Sequence, residues 1–161
     1  MRNGDVVSGG CQAIMKVCIV SSNGGHLTEV RELKPVFEQY EYFYVINRPM
    51  PLPPDMEGKV DFIRHSERDL LFFVNLWEAF KILRRERPQV ILSTGAGCVV
   101  PFALLGRLLF GTRVVYIETL TRLEVPSLTG RIMYYLADNF FYQTKGLRKF
   151  FPRAEYQGTL L

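Results

Sequence analysis

Cysteine is scarce: Cys11, Cys18 and Cys98 are the only three in 161 residues, and no two form a C-x-x-C pair. An odd count without that spacing excludes a disulfide framework and a zinc site, and it fits a reducing, cytoplasmic setting. No His/Cys metal spacing, Walker motif, G-x-G-x-x-G or G-x-S-x-G occurs, so a P-loop nucleotidase, a serine hydrolase of that type and a standard dinucleotide fingerprint are excluded. No apolar run reaches the ~20 uninterrupted residues that a membrane span needs, and no secretory signal opens the chain. Lys and Arg are mixed with acids along the chain, without a dense run or a recognition module, so nucleic acid is not an expected partner.

What is present describes a folded chain. Hydrophobic residues make up 48%, with twelve Phe and eight Tyr, and charged residues 22%. That is the balance of one domain with a sizeable core. The net charge of +4 admits phosphorylated substrates or anionic lipid without choosing between them.

Residues 1–14 lack a strong period and read as a flexible tail; Met15 is a second possible start. From there strands and helices alternate. Strands are expected at Lys16–Ser22, Tyr42–Asn47, Val60–His65, Val90–Thr94, Arg113–Glu118 and Asn139–Gln143. Helices are expected at Leu27–Tyr40 with a break at Pro35, Asp69–Arg87 with Asp69 as N-cap, Val99–Phe110 closed by Gly111, and Ser127–Leu136 capped by Ser127. A short helix near Leu147–Phe151 and an extended piece at Tyr156–Gly158 follow. Such alternation predicts an α/β fold: one Rossmann-like, doubly wound parallel sheet over residues 15–161. Cys18 is expected to be a buried free thiol. The helix from Asp69 gathers Asn75, Glu78, Lys81 and Arg85 on one narrow polar face and leaves a wide apolar one, with Lys81, Arg84, Arg85 and Arg87 at its end. Such a surface either covers the sheet or docks on a membrane or a partner.

Three loops fall where such a sheet binds ligands, beyond the carboxyl ends of its strands. Ser22-Asn23-Gly24-Gly25-His26 lies between the first strand and the first helix. Its glycines permit close approach of a ligand, the helix start favours an anion, and His26 can hold or move a proton near neutral pH. Thr94-Gly95-Ala96-Gly97 follows the fourth strand, which should lie beside the first across the switch point. Glu118-Thr119, with Arg122 just beyond, ends the fifth strand. Glu118 is either a base or orienting group, or a surface partner of Arg122 or Arg113. Arg48 would suit a nucleotide 2′-phosphate, but the preceding turn is Gly-Gly-His and no acidic residue follows the second strand. His65 reads as structural.

These loops, with Pro126-Ser127-Leu128-Thr129-Gly130-Arg131 and Leu136-Ala137-Asp138, resemble the amino-terminal half of GT-B glycosyltransferases. The set is most similar to the acceptor-side subunit of bipartite transferases. Examples are the eukaryotic dolichol-linked N-acetylglucosaminyltransferase and the capsular and exopolysaccharide systems; the murein transferase that makes lipid-linked disaccharide has similar loops. The resemblance runs from Met15 to about Gly158.

The resemblance implies a non-autonomous subunit that binds a polyprenyl-diphosphate-linked sugar acceptor. A separate donor-binding subunit would hold the nucleotide sugar, because this chain has length for the first domain alone. It implies His26 as catalytic base, with Glu118 as a second candidate. Ser22, Asn23, Gly24, Gly25, Thr94, Gly95, Ala96, Gly97, Thr119 and Arg122 would line the acceptor site. No cofactor and no metal are implied. The eukaryotic subunit carries an amino-terminal membrane-spanning helix, whereas Met1 to Met15 is too short and polar for one, so the expected attachment is peripheral, on the cytoplasmic face. A membrane-recruiting scaffold without catalytic residues, and a stand-alone nucleotide-cofactor binder, stay open beside this reading.

Overall fold

The structure is a computed structural model that describes residues 15–47, 51, 53–56, 58–64 and 71–161, with the side chains of Leu71 and Phe72 left out. Arg48, His65, Asp69 and the 1–14 tail lie outside the described residues. Among the described residues, seven strands form one sheet: β1 Lys16–Ser22, β2 Glu41–Asn47, β3 Val60–Ile63, β4 Val90–Ser93, β5 Arg113–Glu118, β6 Asn139–Tyr142 and β7 Glu155–Tyr156. Their order is β3-β2-β1-β4-β5-β6-β7. Every pairing is parallel. The chain winds outward from β1 to β3, crosses over, and winds outward again from β4. The switch point therefore lies between β1 and β4, which pair with Cys18 opposite Ile91.

Alternation along β1 builds two cores. Val17 and Ile19 face one side, where they meet Leu27 and Val30 of helix α1 (Gly25–Glu32) and Phe37 of the short helix α2 (Lys34–Phe37). Cys18 and Val20 face the other side. There they meet Ala79 and Leu83 of α3 (Leu71–Glu86), Val99 and Phe102 of α4 (Val99–Leu105), and Met133 of α5 (Leu128–Leu136). A strand buried on both faces reads as a near-continuous apolar run, which is why Val17-Cys18-Ile19-Val20 is legible without its partners.

The structure adjusts several boundaries. The first helix starts two residues before Leu27 and divides at Leu33, because Pro35 cannot donate to the helix ladder and occupies the first turn of α2 instead. The expected helix to Phe110 is α-helical only to Leu105; Gly106–Phe110 widens into a π turn closed by Gly111 at φ 64°. A seventh strand, two residues long, adds Tyr156 beside Tyr142, too short to declare itself by alternation. The short helix expected at Leu147–Phe151 is a 3-10 turn at Lys145–Leu147; Pro152 disfavours helical geometry at the residue before it. Finally, α3 exposes Lys81 and Arg85 of the expected polar face but buries Asn75, and it exposes Phe73 and Trp77, so part of the apolar surface faces solvent beside the polar face. Among the described residues, no helix is long and apolar enough to cross a membrane.

Candidate functional site

The switch point brings the two glycine loops into direct contact. His26, the second residue of α1, donates from Nδ1 to the Thr94 carbonyl at 3.2 Å. The Thr94 hydroxyl returns a bond to the His26 carbonyl at 2.8 Å. These reciprocal bonds join residues 68 apart in sequence. A carbonyl only accepts, so Nδ1 carries the proton and the lone pair of the neutral ring belongs to Nε2. The imidazole lies against Gly95, where a Cβ would collide with it. Gly95 has φ 137° and Ala96 follows at φ 75°, a conformation a β-carbon residue rarely adopts. The Ser93 hydroxyl donates to the Gly95 carbonyl at 2.7 Å and holds this strained turn from below.

The first loop is pinned from the opposite side. The amide of Asn23 donates to Oδ1 of Asn47, at the end of β2, at 3.2 Å. Gly24, at φ 106°, precedes the helix, and a Cβ built on Gly24 or Gly25 meets nothing within 4 Å. Open space beside exposed amides at a helix start is where an anionic group can approach.

The third loop is held by two buried carboxylates. Glu118 is fully buried. Its Oε1 accepts the Ser127 amide at 2.8 Å and its Oε2 the Tyr116 hydroxyl at 3.1 Å. No arginine pairs with it among the described residues, which corrects the alternative of a surface ion pair with Arg122 or Arg113: the chain turns Glu118 inward to anchor the start of α5. The Ser127 hydroxyl then caps α5 by accepting from the Gly130 amide at 2.8 Å. Gly130 faces the Glu118 carboxylate so closely that no Cβ fits. The Glu118 carboxylate also contributes to holding the Tyr116 hydroxyl protonated; burial raises its pKa most, the Glu118 charge next.

Glu29 is the buried carboxylate beside the candidate site that motif reading missed. It is buried on α1, three residues past His26. It accepts the Thr119 hydroxyl at 2.8 Å, the Leu120 amide at 3.2 Å and the Gln143 side-chain amide at 3.5 Å. Gln143 also donates to the Glu118 carbonyl at 3.2 Å. One carboxylate thus ties the His26 helix to the loop after β5 and the end of β6. The available signal was a charged residue between Leu27 and Val30 on a helix whose apolar positions face the core.

The expected site residues divide into two groups. Asn23, Gly24, Gly25, Gly97 and Arg122 are exposed, while Ser22, His26 and Ala96 are half-buried. Thr94, Gly95, Glu118 and Thr119 are buried, and the side chains of Thr94, Glu118 and Thr119 are engaged in bonds between loops. The first group is accessible from solvent; the second holds the loops to one another. No three His, Cys, Asp or Glu side chains gather as a metal site among the described residues.

A parallel sheet in this order, with two glycine loops interlocked at its switch point, is the Rossmann-like half of a GT-B fold. Solved structures carry the same architecture. The UDP-GlcNAc 2-epimerase of Methanocaldococcus jannaschii aligns with a TM-score of 0.65 at 15% identity, over 86% of this chain and 42% of that one. MurG of Acinetobacter baumannii aligns with a TM-score of 0.61 at 15% identity, over 81% and 41%. Residues 69–160 match the family described as "Oligosaccharide biosynthesis protein Alg14 like", and the chain belongs to that family. The UDP-N-acetylglucosamine transferase subunit ALG14 of Homo sapiens is 30% identical over 92 residues, 54% of this chain and 43% of the human protein. Its counterpart in Saccharomyces cerevisiae is 38% identical over 82 residues, 46% and 35%. The chain therefore spans less than half the length of these relatives. The family match includes the Gly95 loop, Glu118 and Gln143; the His26 loop precedes it.

Proposed function

We propose that this chain is the acceptor-binding subunit of a nucleotide-sugar-dependent glycosyltransferase and that a separate donor-binding chain completes the active cleft. The observation that carries this reading is the His26–Thr94 junction. It sets an imidazole with a free Nε2 lone pair beside open glycine amides at the switch point. A polyprenyl-diphosphate-linked sugar would lie along Asn23, Gly24, Gly25 and Gly97. Nε2 would take the proton of the attacking hydroxyl as its oxygen bonds to the anomeric carbon of the donor and the nucleoside diphosphate departs. The partner would stabilise the departing charge. The name of the relatives supports UDP-N-acetylglucosamine as the donor and a multi-chain enzyme.

Two apolar surfaces support different contacts. Trp77 on α3 and Leu108 and Leu109 on the π turn are exposed, and the Lys81 ammonium lies 5.3 Å from the Trp77 ring. Apolar side chains beside a cation suit an anionic membrane surface, and this reading places the protein peripherally on the cytoplasmic face. Leu123, Val125 and Leu128 are exposed beside the Glu118 loop, and this reading gives them to the partner.

The test is transfer of sugar from UDP-N-acetylglucosamine to a polyprenyl-diphosphate sugar, by this chain alone and by its mixture with a donor-binding chain from the same genomic neighbourhood. Product from the mixture alone supports the reading. Product from this chain alone overturns the division of labour, and silence in both overturns the reaction class.

A further inference from the structure

Beyond the switch point, the grooves of the described surface differ in how their charges are satisfied. One of about 270 Å³ is lined by three cations, Lys16, Lys59 and Arg85, and three carboxylates, Glu41, Asp61 and Glu86. Lys16 pairs with Glu41 at 2.8 Å and Glu86 at 2.6 Å, Arg85 pairs with Asp61 and Glu86, and Lys59 donates to the Tyr42 hydroxyl at 3.1 Å. Equal numbers of the two charges leave this groove without a net pull on an anion. A larger groove of about 480 Å³ is lined by Tyr142, Lys145, Arg148, Pro152, Ala154 and Tyr156. It contains two cations and no carboxylate. Lys145 lies 5.7 Å from the Tyr156 ring centre, and the Tyr142 and Tyr156 rings sit 5.8 Å apart as one wall. Lys149 and Arg153 add to a stretch with four cations and no acid between residues 145 and 153. Thr144, which opens the Lys145 turn, buries its hydroxyl without a hydrogen-bond partner among the described residues.

We infer that this groove is a second ligand site, built for a diphosphate that carries an organic group. Two unneutralised cations on adjacent turns hold the phosphate oxygens by charge-assisted bonds. The tyrosine wall takes the flat or apolar group attached to them. The volume is in the range of small-ligand sites. The groove lies beside the carboxyl ends of β6 and β7, the same edge as the glycine loops. With parallel strands ~4.8 Å apart and three strand steps from β1 to β6, it sits roughly 14 Å along that edge from the His26 loop. The inference is independent of the role given to His26, and both a lipid diphosphate and a nucleoside diphosphate have the required chemistry.

The experiment is calorimetric titration of the full chain at low ionic strength with inorganic pyrophosphate, farnesyl diphosphate and uridine diphosphate. It is run on the wild type, on Lys145→Gln/Arg148→Gln, and on the charge-matched control Lys59→Gln/Arg113→Gln. Saturable pyrophosphate binding that weakens at least about tenfold in the first variant, and less than about threefold in the control, is the expected result. Tighter binding of one organic diphosphate than of pyrophosphate names the source. Absence of saturable binding, equal binding by the Lys145/Arg148 variant, or an equal loss in the control overturns the site. Amide shifts in the wild type give the same answer without any variant: pyrophosphate should move Lys145, Gly146 and Arg148, and shifts confined to Asn23–His26 would place the anion at the glycine loop instead.

Discussion

Around Gly24 and Gly25 there is open space: a methyl group built on either meets nothing within 4 Å. At Gly95 the same methyl group would collide with the His26 ring, and at Gly130 with the Glu118 carboxylate. The two glycine turns read alike in sequence, yet one is small because protein fills the space and the other because it does not. The filled turns are joints between loops, and the empty one is the turn to which the proposed function assigns the acceptor. The same division separates the buried Thr94, Glu118 and Thr119 from the exposed Asn23, Gly97 and Arg122.

Substitutions at these glycines break the comparison most directly. Gly130→Ala should cost the most, about 3 kcal/mol, because a buried carboxylate must leave its amide and phenol partners to admit the Cβ. Gly95→Ala should cost about 2 kcal/mol, from the displaced imidazole and the strain of φ 137° together. Urea unfolding measures both, and an Ala at either position that unfolds like the wild type would mean that the joint yields. Gly25→Ala has the opposite signature. It lies within α1 with free space around it, so stability should hold or rise by up to about 0.5 kcal/mol. In the reconstituted transferase its rate should nevertheless fall, because the methyl group occupies the ligand's approach.

Glu29→Gln sharpens the account of how the joints are tied. The amide keeps the shape but turns an NH2 toward donors that a carboxylate accepted. The expected cost is about 2 kcal/mol, with weaker protection of the Leu120 amide in hydrogen exchange. The smallest effect lies at the opposite edge of the sheet. Hydrogen bonds from Lys16 and then Arg85 hold the Glu86 carboxyl below a glutamate's ordinary 4.5. Its contribution is therefore present above pH 4.5 and disappears as pH falls through the lowered folded value. Glu86→Gln should flatten that acid limb of the stability curve and leave its shape around neutral pH unchanged; because Glu86 also helps raise the Lys16 pKa, the strongly alkaline limb should flatten as well.

The fold was legible because buried parallel strands announce themselves as apolar runs. Lys16–Ser22 and Arg113–Glu118 appear within their expected bounds. The order around β1 and β4 followed from the alternation of strands and helices. What the sequence hid depends on contacts distant along the chain. Glu29 meets Thr119 across 90 residues, and no local spacing encodes that. Glu118 looked like a surface group because it ends a strand; Ser127 and Tyr116 turn it inward. Asn75 departed from the expected polar face because its position shares the buried side of α3 with Ala79, Ile82 and Leu83, while Lys81 and Arg85 stay exposed. The mixed charge along the chain also concealed the acid-free stretch from Lys145 to Arg153.

The central claim is that His26 moves the acceptor proton and is more than a structural plug over Gly95. It is tested most directly by sugar transfer in the complete mixture of this chain, its donor-binding partner and both substrates, with His26→Ala in place of the wild type. Partner binding is checked in parallel by sedimentation. The account predicts a fall of about a hundredfold or more in kcat with the complex intact. Transfer at the wild-type rate by an intact His26→Ala complex would contradict it and leave the chain as a scaffold.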